Sequence, residues 1–420
     1  MLRLPGHRAV PALALALATS LTLAACGGGG FEDSEGSGGS SSDGGDGGPL
    51  KVLIGSSGEA ETKAVEEAVA AWAEENGTEA SVQAATDLPQ ELSQGFTSNN
   101  PPDVFYVSTD TLAGFAANGS LLAYGDQLDN ADDFYPTLVD AFTVDGDFYC
   151  APKDFSTLGL VINTRLWEEA GLTDADVPTT WDELASVAKT LTKGDTVGLA
   201  FGPEYQRVGS FFPQAGGSMV SDDGAEATVD SPENLEALEF VQSMMQDGVA
   251  SYSSTLGAGW GGEAFGKEMA AMTIEGNWIA GAMENDFPDV DYTVAELPEG
   301  PAGKGTLAFT NCWGIAAQSG STDDAVSLVE HLTSVDQQLA FADAFGVIPS
   351  VQSAAEQYAA DRPGFEPFVA GAEYAQNPPS QEGAADVISD FNAQLEGLQD
   401  GDPQAILESV QQSMQAVVGQ

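Results

Sequence analysis

Positively charged residues are scarce in this chain of 420 residues. It contains 12 Lys and Arg against 65 Asp and Glu, which gives a formal net charge of −53 at pH 7. Proteins that bind nucleic acids or anionic lipid headgroups usually do so through clustered Lys and Arg. The composition therefore argues against DNA, RNA and peripheral membrane surfaces as partners.

Histidine is also rare, with two residues in the whole chain. Since His7 lies in a predicted export signal, a Ser-His-Asp triad or a His-rich metal site would have to use His331, whose position is typical of an ordinary helical residue. No nucleophile elbow, P-loop or CxxC pair occurs in a suitable context. We therefore expect no enzyme, no metal and no cofactor. A glycosidase needs only two carboxylates, so a secreted carbohydrate-active hydrolase remains the alternative.

Long apolar runs are limited to one, residues 9–25, and its 17 residues are too few to span a bilayer comfortably. It follows Arg3 and Arg8, the arrangement of a secretory signal peptide. The run ends in LAAC, which resembles the lipobox of bacterial lipoproteins and makes Cys26 the expected lipidated N-terminus. An ordinary signal peptide followed by an unmodified Cys is the alternative.

The segment after Cys26 has the composition of a flexible tether. Residues 27–48 contain 11 Gly, 5 Ser and 5 acidic residues among 22. So little apolar surface cannot form a core, and such chains behave as random coils. We therefore expect an extracytoplasmic domain that is held at the cell membrane by the lipid alone.

Cysteine is scarce as well, because only Cys150 and Cys312 remain beside Cys26. Two cysteines in an exported protein usually pair, since the compartment is oxidising. We expect one disulfide between them. Two separate buried thiols are the alternative, because the sequence gives no distance between them.

What the chain does contain is enough apolar material for two or three domains, with 42% hydrophobic residues and 35 aromatic residues. Apolar strands are predicted over residues 51–54, 103–107, 158–162, 196–201, 269–274, 292–295 and 306–316. Helices are predicted over residues 62–75, 108–119, a short stretch ending at 171, 181–191, 232–245, 323–334, 335–345 and most of the chain after 349. This alternation is typical of α/β proteins with parallel-rich sheets, in which ligands bind beyond the carboxyl ends of the strands.

Several segments, in order, resemble a known family, the solute-binding proteins of sugar-importing ABC transporters (family 1, maltose-binding-protein-like). They are PPDVFYVSTDTLAGFAANGSLL, YCAPKDFSTLGLVINTRLWEEAGL, PTTWDEL, FGKEMAAMTIEGNW, CWGIAAQSGSTDDAVSLVEHLTSVDQQ and FGVIPS. The resemblance implies the two-lobed type II periplasmic-binding-protein fold, with a ligand cleft between lobes that are joined by hinge crossings. It also implies a carbohydrate ligand, the subunits of a membrane permease as partners, and a monomer.

The resemblance also suggests how the chain is divided. The expected parts are a signal peptide (1–25), a lipidated Cys and tether (26–49), a first lobe (50–155 and 311–350) and a second lobe (156–310 and 351–420). On this division Cys150 and Cys312 both lie in the first lobe, beside the hinge crossings.

The candidate site follows from the chemistry of sugars, which offer hydroxyls to carboxylates and amides and an apolar face to aromatic rings. The residues of these types near predicted loop ends are Glu59, Asp110, Asp154, Tyr205, Trp260, Glu275, Asn277, Trp278, Asn311 and Trp313. For Glu59 and Asp110, and for the neighbouring Ser56, Ser57 and Ser108, helix capping is the alternative. For the Trp residues it is core packing.

We therefore expect a lipoprotein that captures a neutral mono- or oligosaccharide and delivers it to an ABC permease. Two alternatives remain, the secreted hydrolase and a binding protein for a cationic ligand such as a polyamine, because Asp, Glu and aromatic side chains would also form a cage for a cation.

Overall fold

The computed structural model describes residues 49–221 and 223–418. Its strands are β1 (Leu50–Ile54), β2 (Ala80–Ala84), β3 (Val104–Ser108), β4 (Thr143–Val144), β5 (Asp147–Phe148), β6 (Ala151–Asn163), β7 (Val197–Phe201), β8 (Ala250–Tyr252), β9 (Ala270–Gly276), β10 (Tyr292–Ala295), β11 (Thr306–Ile315) and β12 (Ala375–Gln376). The expected signal peptide, Cys26 and the tether up to residue 48 lie outside the described residues.

Helices connect most of these strands. They are α1 (Glu59–Asn76), α2 (Leu88–Thr97), α3 (Thr109–Ala117), α4 (Pro136–Ala141), α5 (Thr164–Glu169), α6 (Trp181–Leu191), α7 (Tyr205–Val208), α8 (Phe211–Ala215), α9 (Pro232–Gln246), α10 (Gly261–Gly266), α11 (Ile279–Asp286), α12 (Thr322–Leu332), α13 (Val335–Phe345), α14 (Ala355–Asp361), α15 (Glu366–Ala370), α16 (Ala384–Leu395) and α17 (Pro403–Val418). The described residues belong to one compact unit, Asp46–Gln420.

Ten strands form one mixed sheet in the order β2-β1-β3-β11-β6-β9-β7-β8, with β10 paired to β6 and β12 paired to β11. At each end of the sheet the strands pair in parallel: β1 with β2 and β3 at one end, and β7 with β8 and β9 at the other. The central pairs β3–β11, β11–β6 and β6–β9 are antiparallel. The expected parallel pairing is therefore found at the two ends of the sheet, whereas its centre is antiparallel.

The two long strands β6 and β11 belong to both halves of the sheet. The first part of β6, residues 151–157, pairs with β11, whereas residues 158–163 pair with β9 and β10. In β11, residues 311–315 pair with β3, and the strand begins beside β12. The sequence predicted only the second part of β6, because Lys153, Asp154 and their neighbours interrupt the apolar pattern.

Each half of the sheet has its own hydrophobic core. One core packs β7 and β9 against α6, α9, α16 and α17. The other packs β1 and β3 against α1, α12 and α13. Since apolar burial is the main favourable term in folding, each half has the means to hold its own shape.

Local sequence signals predicted the bounds of some helices closely. Helix α6 occupies the predicted residues, and the Oγ1 of Thr180 accepts a hydrogen bond from the Glu183 backbone N–H at 3.3 Å. The Glu183 carboxylate accepts a hydrogen bond from the backbone N–H of Thr179, whereas in a standard capping box the donor would be the N-cap residue, Thr180. The α9 helix begins at the predicted residue 232, with the Ser231 side chain as its cap and Pro232 at its first position.

The predicted disulfide between Cys150 and Cys312 is confirmed. The two residues are fully buried, their Cα atoms are 5.5 Å apart, and the bond closes a sequence separation of 162 residues. It joins the residue before β6 to the middle of β11, where these two neighbouring strands begin to pair.

Candidate functional site

A partly exposed stretch lies in the middle of β11. Phe309, Thr310 and Asn311 are half-buried, whereas the remainder of the strand is buried. Asn311 is the register partner of Asp154 on β6 and of Ser108 on β3. Directly opposed residues of antiparallel strands point to the same face, so these three polar side chains form one row across the sheet.

A buried charged group adjoins this row, and we call Glu61, Tyr106, Lys153 and Asp154 the Lys153 cluster. The Lys153 ammonium contacts the Asp154 carboxylate and lies 3.1 Å from Oε1 of Glu61. The Tyr106 hydroxyl donates to the same Glu61 oxygen at 3.0 Å. The cluster joins α1, β3 and β6, and it carries two carboxylates around one cation.

A β-bulge explains how two consecutive strand residues meet. In the β6–β11 register, Asn311 opposes Asp154 and Cys312 opposes Pro152, so that Lys153 is left without a partner. A bulge of this kind re-aims a side chain that would otherwise point to the opposite face. The Lys153 side chain therefore lies beside the Asp154 side chain instead of on the opposite face of the sheet.

The charges within the Lys153 cluster shift one another's pKa values. Burial raises the pKa of Asp154 above its ordinary value, and the Lys153 charge only partly opposes this. For Glu61, burial acts in the same direction but is outweighed by Lys153 and by hydrogen bonds from Ser57, so its pKa is lowered. Burial alone would lower the pKa of Lys153, yet the two carboxylates raise it. The cation is thus held in its charged form between them.

The loop after β1 contributes to the site differently from what the sequence predicted. The backbone N–H and the hydroxyl of Ser57 both donate to Oε2 of Glu61 at 2.7 Å. Glu59 and Asp110 are exposed in the first turns of α1 and α3. Glu61 was not among the predicted site residues, although an acid that continues the apolar face of Val65 was a usable signal.

A second group lies beside the other end of the half-buried stretch, and we call Arg207, Glu275 and Trp278 the Arg207 cluster. Nη2 of Arg207 is 2.7 Å from Oε2 of Glu275, and Nε1 of Trp278 donates to the same oxygen at 2.9 Å. The guanidinium carbon lies 5.2 Å from the centre of the indole. The ring also packs edge-on against Phe309, 5.8 Å between centroids.

Trp278 is the one large hydrophobic residue that is exposed among the described residues, with 38% of its surface accessible. Glu275 beneath it is 1% exposed, and burial raises its pKa despite the nearby Arg207 charge. Because Phe309 and Asn311 are two residues apart on one strand, they face the same side, about 7 Å apart. The Arg207 cluster and the Lys153 cluster therefore flank the same short stretch of β11.

Other predicted site residues lie at or near this surface. Asn277 is buried, and its Nδ2 donates to the Gly346 carbonyl at 2.6 Å, which links the end of β9 to the turn after α13. Trp260 is half-buried and packs against the cluster that contains Phe265. Asn277 is thus already engaged within the protein.

The structure does not bring Tyr205 and Trp313 into this surface. Tyr205 is 2% exposed, and its ring packs against Phe212 in the core of the second half. Trp313 is buried against Tyr106, and its carbonyl accepts a hydrogen bond from the Tyr124 hydroxyl. Both rings pack in the core; for Trp313 this is the alternative that the sequence left open for the Trp residues.

Among residues 49–221 and 223–418, no group of three or more His, Cys, Asp or Glu side chains is arranged to bind an ion. Within the same part of the chain, no helix combines the length and apolar character needed to cross a membrane.

The sequence matches the family of bacterial extracellular solute-binding proteins over residues 67–367, well over half of the chain. The chain belongs to this family. A binding protein of Brucella abortus is a relative of this solute-binding protein, 24% identical over 349 residues that cover 79% of this chain and 83% of the relative. The diacetylchitobiose binding protein DasA of Streptomyces coelicolor is 24% identical over 282 residues, 65% of this chain and 66% of DasA.

Solved structures agree on the fold of this solute-binding protein. The sugar-binding protein MalE from Xanthomonas citri matches it with a TM-score of 0.78 at 22% identity, over 88% of this chain and 97% of MalE. The protein therefore has the expected α/β architecture of two lobes joined by crossing strands. The expected family is likewise confirmed, and its members are binding proteins.

Proposed function

We propose that this solute-binding protein captures a neutral mono- or oligosaccharide for an ABC importer. The observation that carries the proposal is the exposed Trp278 ring beside the polar row of Ser108, Asp154 and Asn311. An aromatic platform next to carboxylate and amide oxygens suits a sugar ring, which has an apolar face and hydroxyl edges. The diacetylchitobiose-binding relative and the likeness to MalE support this choice.

Sugar binding closes the two lobes in this proposal. The lobes are residues 50–155 with 311–350 and residues 156–310 with 351–420, and β6 and β11 form the hinge between them. Trp278 stacks on the sugar from the second lobe, while Asp154 and Asp110 bind hydroxyls from the first. Because each lobe supplies part of the contacts, the ligand binds the closed state more tightly and shifts the population toward it.

The protein works at the outer face of the cell membrane, with an acylated Cys26 as its anchor and the permease as its partner. The support is the lipobox-like sequence before Cys26 and the membership of an extracellular family. Mass spectrometry of membrane-extracted protein should find acyl chains on an N-terminal Cys26. Cys26→Ser should release the protein from the membrane, and a variant that stays equally membrane-bound contradicts the anchor.

A ligand screen by thermal shift tests the function. Neutral mono- and oligosaccharides should raise the unfolding temperature, because a ligand that binds only the folded state stabilises it. Polyamines tested in parallel should not. Incubation with glycosides should release no product. A shift with polyamines alone, or turnover of a glycoside, would reject the proposal in favour of one of the two alternatives.

A further inference from the structure

The Trp278 ring is held on several sides. Its Nε1 donates to Oε2 of Glu275 at 2.9 Å, the guanidinium of Arg207 lies over the ring, and Phe309 meets it at an interplanar angle of 75°. These contacts come from three separate parts of the chain, since Glu275 is on β9, Arg207 on α7 and Phe309 on β11. Packing of this kind restricts a side chain to one rotamer.

Glu275 has little left to offer a ligand. Its Oε2 already accepts hydrogen bonds from both Arg207 and Trp278, and the residue is 1% exposed. A carboxylate that binds sugar hydroxyls directly has to present an oxygen at the surface of the site. The exposed Trp278 can therefore contact a ligand, whereas the buried Glu275 contacts Trp278 and Arg207.

Gly276 completes the support of the ring. A Cβ built on Gly276 would overlap the six-membered ring of Trp278. The backbone of Gly276 is outside the left-handed region, so its conformation is open to other residues. What requires glycine at this position is the space occupied by the indole.

We propose that Glu275, Arg207 and Gly276 are positioning residues, which hold Trp278 in one orientation for the ligand, and that Glu275 itself does not contact the ligand. The inference rests on the proposed function, because it takes Trp278 to be the stacking platform. Fixing a ring before the ligand arrives removes an ordering cost from binding. Affinity therefore depends in part on Glu275, a residue that the ligand does not touch.

A double-mutant cycle distinguishes positioning from direct contact. With the sugar that gives the largest thermal shift, Glu275→Gln should weaken binding about tenfold in the native background and less than about twofold in a Trp278→Ala background. Calorimetric titration of the four proteins supplies the dissociation constants. An equal loss in both backgrounds would mean that Glu275 acts independently of Trp278, and it would overturn the proposal.

A matched pair of glycine variants tests the same idea without removing a functional group. Gly276→Ala should displace the ring and weaken binding about tenfold by lost preorganisation. Gly281→Ala adds the same methyl group on the nearby helix α11, where nothing lies within 4 Å, and should bind like the native protein. Unchanged affinity in Gly276→Ala would overturn the proposal.

A spectroscopic measurement keeps this test separate from the identity of the ligand. For each ligand-free protein, the contribution of Trp278 to the near-UV circular dichroism spectrum is obtained by subtracting the spectrum of the same protein with Trp278→Ala. Glu275→Gln and Gly276→Ala should both change this difference, and Gly281→Ala should not. If no sugar binds the native protein, the proposed function fails while these spectra still decide whether the ring is held. Unchanged spectra in both variants would overturn the positioning role.

Discussion

The two charged clusters beside β11 use opposite arrangements. In the Lys153 cluster one cation serves two carboxylates, and Lys153 and Asp154 are 7% and 8% exposed. In the Arg207 cluster one carboxylate serves a cation and an indole N–H, and the Arg207 side chain is 18% exposed. The first cluster joins α1, β3 and β6 through buried side chains, whereas the second supports a ring that faces outward.

This difference indicates separate tasks for the two clusters. A buried cation between two carboxylates is satisfied within the protein, so its removal leaves uncompensated charges inside the fold. The Arg207 guanidinium is partly solvated, and its Nε has no hydrogen-bond partner within the described residues. We therefore expect changes to the Lys153 cluster to affect folding most, and changes to the Arg207 cluster to affect binding most.

Removal of the disulfide, which lies in the same half of the sheet as the Lys153 cluster, should have the largest effect. Cys150→Ala with Cys312→Ala should lower the free energy of unfolding by about 5 kcal/mol, because the bond closes a loop of more than a hundred residues. Urea unfolding with and without reductant measures this loss. Reductant should weaken the native protein and leave the double variant unchanged; equal sensitivity of both proteins would contradict the assignment.

Neutralising each cation compares the clusters directly. Lys153→Met should cost about 3–5 kcal/mol of unfolding free energy, because Glu61 and Asp154 lose their buried counterion. Arg207→Met should cost less, about 1–2 kcal/mol, since solvent partly screens that pair. Urea unfolding of both variants gives the two values. Lys63→Met, which removes an exposed pair with Glu67 at 3.7 Å, is the control and should change little. A larger loss of unfolding free energy in Arg207→Met than in Lys153→Met would contradict the separate tasks assigned to the two clusters.

The platform itself should matter for binding and little for folding. Trp278→Ala should lose about 1–3 kcal/mol of sugar affinity through lost apolar contact, while thermal unfolding of the ligand-free protein stays close to native. Trp181→Ala is a suitable contrast, because Trp181 is buried and stacks on Phe240 at 4.5 Å between centroids. That variant should unfold at a clearly lower temperature. A Trp278 variant that binds sugar normally would remove the stacking role.

The smallest expected effect is the pH dependence of sugar binding. Asp154 accepts hydroxyl hydrogen bonds best when ionised, and burial raises its pKa above the ordinary 3.8. Affinity should therefore decline as pH falls toward that raised pKa, at a higher pH than for an exposed aspartate. Titrations from neutral pH down to about pH 4 measure the decline. Asp154→Asn should bind more weakly and show a flatter profile; an unchanged slope would place the titrating group elsewhere.

The two carboxylates of the Lys153 cluster affect stability with opposite signs. Because the pKa of Glu61 is lowered, its contribution to stability is present above the ordinary value of 4.5 and is lost as pH falls through the lowered pKa. Because the pKa of Asp154 is raised, the folded state binds that proton more tightly than the unfolded state does, and acidification favours folding at this group.

Strong local signals were sufficient for much of the secondary structure. Helices α6 and α13 and strand β10 occupy the predicted residues. Strand β2 was missed because it lies at the edge of the sheet and is mostly exposed, so it has no apolar run. Strand β8 was missed because three residues are too few for a periodic pattern.

The candidate site was predicted less completely than the fold. The sequence indicated Asp154 as a candidate because it lies between two apolar segments, and Trp278 because it follows an apolar strand. Both remain predictions as ligand-binding residues. The sequence did not predict that Glu61, Arg207 and Phe309 join them. Those residues come from separate elements, 92 positions from Lys153 to Glu61 and 68 from Arg207 to Glu275, and no local pattern reports such a contact.

By itself, the sequence determined the α/β alternation, the composition suited to export and the availability of two cysteines for one disulfide, since each follows from residue type and short-range spacing. Only the tertiary structure decided that Trp278, shortly after one predicted strand, is exposed while Trp313, inside another, is buried. It also decided that Lys153 turns toward Asp154. The physical reason is that exposure and orientation depend on strand register and on a bulge between β6 and β11, which form only when distant parts of the chain pack together.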